Sequence, residues 1–241
     1  MAGTIKFQTS DRRSARQLNR LPNRRSNRLL GRIYNWLRSV NPLTGIDWSE
    51  FRKAYGVFIA NPAQGILHIL AAERHSNWQK WVTKRLVDQA SHLQNVDLTI
   101  NVNSLLQLPE DTLGGAYARH IILQGFDPEA FVAAEDTHWF EYRGALSHDV
   151  YHIIAGFDGS AIGEFGLAAF VLMQYRDLLN VFVLSHLPWF LIGNIKLAPQ
   201  AIAAVSKGLL RGIRCKPVFA YPFEQNWHKL VSQVRQELGI A

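Results

Sequence analysis

The arrangement of apolar residues along the chain is the feature that most limits its fold. Residues 95–103 carry a strand-like alternation, with Val96, Leu98, Ile100 and Val102 at every second position. No second stretch of this kind offers that segment a strand to pair with, which argues against a β-sheet. We therefore expect an extended linker or a short helix there, and an all-α fold for the chain as a whole.

Helical periodicity and typical boundary residues divide most of the remaining chain into segments. We predict helices over residues 48–61, 62–72, 78–92, 112–124, 128–134, 138–155, 161–176, 178–192, 199–210 and 222–238. Asp47 and Ser160 are expected N-caps, and Gly114 and Gly115 are expected to mark a close helix contact. No internal repeat or clear linker interrupts residues 48–238, so we predict a single-domain multi-helix bundle.

The apolar content supports a core together with an internal apolar pocket or tunnel. The sequence is 48% apolar and includes seven Trp and thirteen Phe. Residues 178–195 carry no formal charge, which reaches the length of a membrane span. This stretch also contains Asn180, His186 and Pro188, so a buried helix, suited to lining a lipid tunnel, is the favoured interpretation.

The positive charge is concentrated in an N-terminal arm, residues 1–40, ahead of a domain at residues 41–241. The whole chain has a net charge of +7, and ten of its basic residues lie within residues 1–38 beside Asp11 as the one acid. Three interpretations of the arm stay open: a disordered segment, an amphipathic helix on an anionic membrane, and a mitochondrial transit peptide. No motif supports nucleic-acid binding, and no secretory signal is visible.

The single cysteine, Cys215, excludes an internal disulfide and a cysteine-based zinc site, and it indicates a reducing compartment. Metal-binding residues of another type occur in the segment from His148 to Glu164. His148 and His152 stand one above the other on a helix, and Asp149 lies close enough in angle to join them. The turn around Gly156 returns the chain, so that Glu164 approaches from the next helix.

Two imidazoles with one or two carboxylates suit zinc best, and they also suit magnesium, iron or manganese. We therefore predict one divalent metal held by His148, Asp149, His152 and Glu164, which are also the candidate catalytic residues. Asp149 is open as a ligand or as a base, like the acid between the histidines of zincin proteases. Two histidines at this spacing also occur by chance, and the joint presence of both acids makes the case.

The same residues resemble the signature of the coenzyme Q (ubiquinone) biosynthesis protein 4 family, in which eleven residues separate His-Asp-x-x-His from Glu. The segment Leu108–Ala118 resembles that family's Leu-Pro…Thr-Leu-Gly…Tyr stretch, and Glu224 and Arg235 fit its closing helix. The likeness covers roughly residues 105–240 and leaves out the arginine-rich arm.

The resemblance implies an all-α protein that binds a metal and a prenylated lipid or quinone precursor. It implies peripheral membrane association as a homodimer, within a biosynthetic complex. The expected location is the cytoplasmic face of a bacterial membrane or, alternatively, the matrix side of the mitochondrial inner membrane. The implied activity is oxidative decarboxylation of a prenylated hydroxybenzoate-type ring. A non-catalytic lipid-binding scaffold is the alternative, and a metal-dependent hydrolase unrelated to lipids is a more distant one.

The apolar helices after Glu164 supply the candidates for lipid contact, and ordinary core packing is the competing interpretation for each. The candidate tail-binding residues are Phe165, Leu167, Phe170, Val171 and Phe182. Arg143 could anchor a head-group oxygen or phosphate, or could form a salt bridge instead.

Overall fold

The computed structural model of the protein describes residues 38–125 and 139–241, and its regular structure is helical. The α-helices include Trp48–Val57 (α1), Pro62–Glu73 (α2), Asn77–Gln89 (α3), Val102–Leu105 (α4), Leu113–Gln124 (α5), Trp139–Ala155 (α6), Ala161–Tyr175 (α7), Leu178–Ser185 (α8), Leu187–Gly193 (α9), Ala198–Arg214 (α10) and Val231–Leu238 (α11). Short 3-10 turns lie at Ser91–Leu93, Val218–Ala220 and Phe223–Gln225. Within the described ranges, strand-type pairing is limited to one bridge between Thr112 and Leu230. The prediction of a single-domain all-α fold is confirmed.

Several helices begin where local sequence signals place them. The Asp47 carboxylate accepts hydrogen bonds from the first amides of α1, and the Ser160 hydroxyl accepts one from Gly163 at the start of α7. Asn61 caps α2 in the same way, and Pro62 occupies the first turn, where its missing amide hydrogen costs nothing. Side-chain caps of this kind depend on neighbouring residues, and this is why the sequence predicts them.

The prediction of one helix over residues 178–192 is wrong. Helix α8 ends at Ser185, and α9 starts at Leu187 with Pro188 in its first turn. A proline inside a continuous helix would remove an amide donor and clash with the preceding turn. Across residues 38–125 and 139–241, no helix combines the length and apolar character needed to cross a bilayer.

The prediction of a helix over residues 222–238 is also wrong in its first half. Only Val231–Leu238 is α-helical, and the preceding segment binds the start of α5 through its backbone. The amides of Leu113 and Gly114 donate to the carbonyls of Lys229 and Trp227, at 2.7 and 2.8 Å. Gly115 makes a close contact with the loop before its own helix and not with another helix, since a Cβ there would lie 2.0 Å from the Pro109 carbonyl oxygen.

The largest apolar cluster joins α5, α6 and α7 to the C-terminal segment, and it includes Tyr117, Val150, Phe170 and Val234. A second cluster joins α1, α2 and α8, and a third surrounds α3. Helix α7 also packs along α10 in the most extensive helix pair of the described chain. These contacts fix α5, α6 and α7 side by side, and those are the helices that carry the candidate site.

Two predicted segments lie outside the described residues. They are the basic arm, up to residue 37, and the helix predicted over residues 128–134. The ambiguous segment 95–103 has no regular structure until Val102, where the short helix α4 begins.

Candidate metal centre

The turn between α6 and α7 brings the candidate ligands together. Helix α6 ends before Gly156, whose φ of +68° is readily adopted by glycine. Two arginines from later helices hold the last carbonyls of α6: Arg235 donates to those of Ile153 and Ile154, and Arg211 donates to that of Ala155. The hairpin is therefore held by side chains distant in sequence as well as by its own turn.

His148, His152 and Glu164 converge as the sequence predicts. The Nε2 atoms of His148 and His152 lie 3.3 Å apart. One Glu164 oxygen lies 3.2 Å from His152 Nε2, and the other lies 3.9 Å from His148 Nε2. The His152 side chain is 2% exposed, while those of His148 and Glu164 are 49% and 44% exposed. The triad thus has a buried side and a side open to solvent.

Asp149 lies on a different side of His152 from Glu164. It faces His120, a residue that the sequence analysis does not identify. Its Oδ1 atom is 3.4 Å from Nε2 of His120, on α5. The ring of His120 stacks on that of His152, with centroids 5.2 Å apart and planes 29° from parallel. Donor atoms of His120, Asp149 and His152 all lie within 4.8 Å of one another. No local spacing signals His120, because helix packing brings it to the site from 28 positions upstream.

The donor atoms fit a divalent cation. Four ligands at about 2.1 Å from a tetrahedral zinc ion lie about 3.4 Å from one another. The separations within the His148, His152 and Glu164 triad, 3.2 to 3.9 Å, bracket that value. The buried His120 Nε2 and Asp149 Oδ1 atoms lack a hydrogen-bond partner, which is uncommon for buried polar atoms away from functional sites. The set of imidazoles and carboxylates suits zinc, and it accepts harder cations.

The electrostatics of the triad favour a charged pair in the absence of metal. Burial raises the pKa of Glu164, but the hydrogen bond from His152 and the charges of the two histidines outweigh it, and the net pKa is lowered. Burial lowers the pKa of His152, but its hydrogen bond to Glu164 and the charges of both carboxylates outweigh that effect, and the net pKa is raised. Protonation of His152 and the binding of a cation at its Nε2 atom therefore compete.

The predicted lipid-contact residues are divided between different parts of the apolar interior. Phe170, Leu167 and Val171 are buried in the largest apolar cluster, whereas Phe182 is buried in the second one. Phe165 directly follows Glu164 and packs edge-on against Phe190 of α9, with ring centroids 5.3 Å apart. The predicted internal pocket is not confirmed for the described residues.

Arg143 is committed to interior contacts. Its guanidinium pairs with Glu224, and it donates to the backbone carbonyls of Phe219 and Tyr221 at 3.0 and 2.8 Å. The side chain is fully buried, so these partners occupy the position predicted for a lipid head group. Of the two interpretations offered by the sequence, the structure favours the salt bridge, and it places that bridge in the interior.

Comparison with known proteins adds to this geometry. Residues 72–241 match the family model described as Coenzyme Q (ubiquinone) biosynthesis protein Coq4. The ubiquinone biosynthesis protein COQ4 homologs named as mitochondrial in Mus musculus and Bos taurus are 25% and 28% identical over 153 residues. Each match covers 59% of this chain, and it covers 55% and 56% of the respective relative. The chain thus spans little more than half the length of these curated relatives.

A solved structure is similar over most of the chain. The crystal structure of a protein from Nostoc punctiforme, named for ubiquinone biosynthesis, aligns with a TM-score of 0.67 and 25% sequence identity. The alignment covers 81% of this chain and 99% of that one. Because the family model matches most of the sequence, the chain belongs to the coenzyme Q (ubiquinone) biosynthesis protein Coq4 family.

Proposed function

We propose that the chain is a metal-dependent enzyme of ubiquinone or related prenylquinone biosynthesis that acts on the ring of a prenylated hydroxybenzoate-type precursor. The observation that carries the proposal is the convergence of His148, His152 and Glu164 within 3.2 to 3.9 Å, with one side open to solvent. Metal sites that perform chemistry keep an open position, whereas purely structural zinc sites are closed by protein ligands.

In this proposal His148, His152, Glu164 and Asp149 hold a divalent cation, with zinc preferred to magnesium, iron or manganese. When bound, such a cation supplies a positive charge that polarises an oxygen of the substrate or of water. The half-exposed His148 and Glu164 flank the side from which a ring carboxylate or hydroxyl would approach. The buried His152 fixes the other side and excludes water from it.

The proposed reaction replaces the ring carboxyl group by a hydroxyl group. The bond between the ring carbon and the carboxyl carbon breaks, a ring C–O bond forms with an oxygen from water, and carbon dioxide leaves. Two electrons and two protons are released, and dioxygen takes them up to give hydrogen peroxide. Dioxygen is thus a named co-reactant, and the protein residues supply binding and orientation.

The apolar surface beside the site supports a prenylated substrate and a peripheral position on a membrane. Phe165, next to Glu164, contacts Phe190 on α9, and the neighbouring Trp189 and Ile192 are exposed. Burial of apolar surface stabilises binding by about 25 cal/mol per Å². A prenyl tail or a lipid surface along α9 would therefore place the polar ring near the triad.

The compartment and the assembly belong to the same proposal. We expect peripheral association on the matrix side of the mitochondrial inner membrane in a eukaryotic host, and on the cytoplasmic face in a bacterium. A homodimer that joins a biosynthetic complex is expected as well. Light scattering of the purified chain and crosslinking in membranes would report both states, and a monomer throughout would contradict this part.

Turnover tests the enzymatic proposal directly. Purified protein loaded with metal and given a prenylated hydroxybenzoate under oxygen should release carbon dioxide. His148→Ala and His152→Ala should abolish that release, whereas His92→Ala, at an exposed position away from the site, should not. Turnover that survives both site variants would disprove the proposal.

A lipid-binding scaffold is the second candidate, and the exposed apolar side chains of Trp189, Ile192 and Ile195 favour it. In that case the metal fixes a head group and performs no chemistry. Tight binding of a prenylated lipid that needs Glu164, without carbon dioxide release by the wild type, would establish the scaffold. Failure to extract any lipid from the purified protein would instead favour a hydrolase.

A further inference from the structure

We propose that His120 is a positioning residue of the metal centre, which holds the Asp149 carboxylate toward the cation through a hydrogen bond from Nε2 to Oδ1. The proposal rests on the metal-binding part of the proposed function. It adds a third helix, α5, to a site that the His148–Glu164 segment alone would place on two.

Two buried polar atoms of His120 and Asp149 face each other. The side chains of His120 and Asp149 are 10% and 16% exposed, and the two atoms lie 3.4 Å apart. Neither atom has a hydrogen-bond partner, although water cannot reach them. A buried polar group without a partner costs about 1–3 kcal/mol. A shift of a few tenths of an ångström would close the contact to the usual N–H···O distance of about 2.9 Å.

Packing already fixes the orientation of the His120 ring. It lies nearly parallel to the ring of His152, which the proposal makes a metal ligand. One turn earlier on α5, the fully buried Tyr117 packs against Trp227, with ring centroids 5.3 Å apart. The start of α5 is held by backbone hydrogen bonds to Trp227 and Lys229. His120 therefore faces Asp149 from a helix that packs against the C-terminal segment, and its ring packs against His152.

The charges of the proposed ligands also balance in this arrangement. Two carboxylates and two neutral imidazoles balance a divalent cation, and a neutral His120 can donate without changing that balance. With Oδ1 bound to His120, the other Asp149 oxygen remains for the metal. Partners of this kind orient a ligating carboxylate and strengthen metal binding.

Metal titration of the full chain without substrate tests the proposal. Zn²⁺ affinity is measured by competition with a chromophoric chelator, and Co²⁺ absorption reports the ligand set. His120→Ala should weaken Zn²⁺ binding by about 10–100-fold. His120→Gln keeps an N–H donor and should bind within about threefold of wild type, and the Co²⁺ bands should not move in either variant. His92→Ala is the control for an exposed histidine.

Each alternative result has a defined meaning. Equal Zn²⁺ affinity in the wild type and in a folded His120→Ala variant would overturn the inference while leaving the proposed function intact. A His120→Gln variant as weak as His120→Ala, with shifted Co²⁺ bands, would make His120 a direct ligand and would also overturn it. No binding of either metal by the wild type would overturn the metal-dependent function, and this inference with it. Circular dichroism of the metal-free variants checks folding, and His120→Gln carries the test if His120→Ala unfolds.

Discussion

Arg143 and Glu224 form an ion pair in the interior of the protein, with side chains 0% and 5% exposed. Arg143 belongs to α6, and Glu224 lies in the 3-10 turn Phe223–Gln225. The same guanidinium donates to the carbonyl oxygens of Phe219 and Tyr221. This one side chain therefore holds α6, which carries the candidate metal ligands, against a C-terminal segment that has little regular structure of its own.

Removal of Arg143 should destabilise the protein strongly. Arg143→Met leaves the Glu224 carboxylate buried without its partner, which typically costs about 3–5 kcal/mol in the free energy of unfolding. The double variant with Glu224→Gln should lose less, because no buried charge is left unpaired. The exposed pair between Arg74 and Glu141, 3.8 Å apart, is the control, and Arg74→Met should cost less than about 1 kcal/mol. Urea denaturation measures the free energy of unfolding of all three variants. Equal losses for Arg143→Met and Arg74→Met would contradict the stabilising role of the interior ion pair.

The pair of His152 and Glu164 should give the metal-free protein a defined pH dependence. The raised pKa of His152 stabilises the fold below its ordinary value of 6.5 and ceases to do so as pH rises through the raised one. The lowered pKa of Glu164 stabilises the fold above its ordinary value of 4.5 and ceases to do so as pH falls through the lowered one. Wild type should therefore exceed Glu164→Gln in stability most between about pH 4.5 and 6.5. Chemical denaturation in the presence of a chelator checks this, and a constant difference across pH would refute it.

Glu73 should lower the stability of the protein at alkaline pH. Burial, followed by the nearby charge of Asp177, raises its pKa from 4.5 to about 8. The folded chain keeps this proton where the unfolded chain loses it, so the free energy of unfolding falls as pH rises from about 4.5 to about 8. Glu73→Gln should lose less stability over the upper part of that range than wild type does. The exposed Glu110→Gln is the control, and a Glu73→Gln profile parallel to that of wild type would disprove the shift.

The contact between α7 and α10 should tolerate no added methyl group at Gly208. A Cβ at that position would lie 2.1 Å from the Gly166 carbonyl oxygen, so Gly208→Ala forces the helices apart. We expect a loss of about 1–3 kcal/mol by thermal denaturation, and weaker metal binding because Glu164 moves with α7. Gly56 of α1 has open space around it, and Gly56→Ala should stabilise the protein by about 0.5–1 kcal/mol. Equal effects of the two variants would contradict the packing argument.

The structural features that could be predicted are those determined by residues close together in the sequence. The i, i+4 spacing of His148 and His152 sets their common face, and the turn at Gly156 brings Glu164 back to them. The Asp47 and Ser160 caps bind amides two or three positions away. Each of these relationships is contained in a few consecutive residues, or in one helical hairpin.

The elements that could not be predicted depend on distant contacts. Residues 222–230 do not form an α-helix, because backbone carbonyls in this segment accept hydrogen bonds from the start of α5. Arg143 of α6 also holds the turn that precedes the segment. His120 reaches Asp149 through the packing of α5 on α6, which no residue spacing announces. The helix break before Pro188 is different, because it has a local signal in the proline itself, whereas the uncharged run of residues 178–195 favours a single helix.

The two arginines that hold the end of α6 also set an order of events during synthesis. Arg211 and Arg235 follow Ala155 by 56 and 80 positions, and a ribosome needs about 4–16 s to add the longer of these stretches. His148, His152 and Glu164 are translated before either guanidinium exists. Until both arginines have been added, the last carbonyls of α6 lack the side-chain donors that hold them in the folded protein.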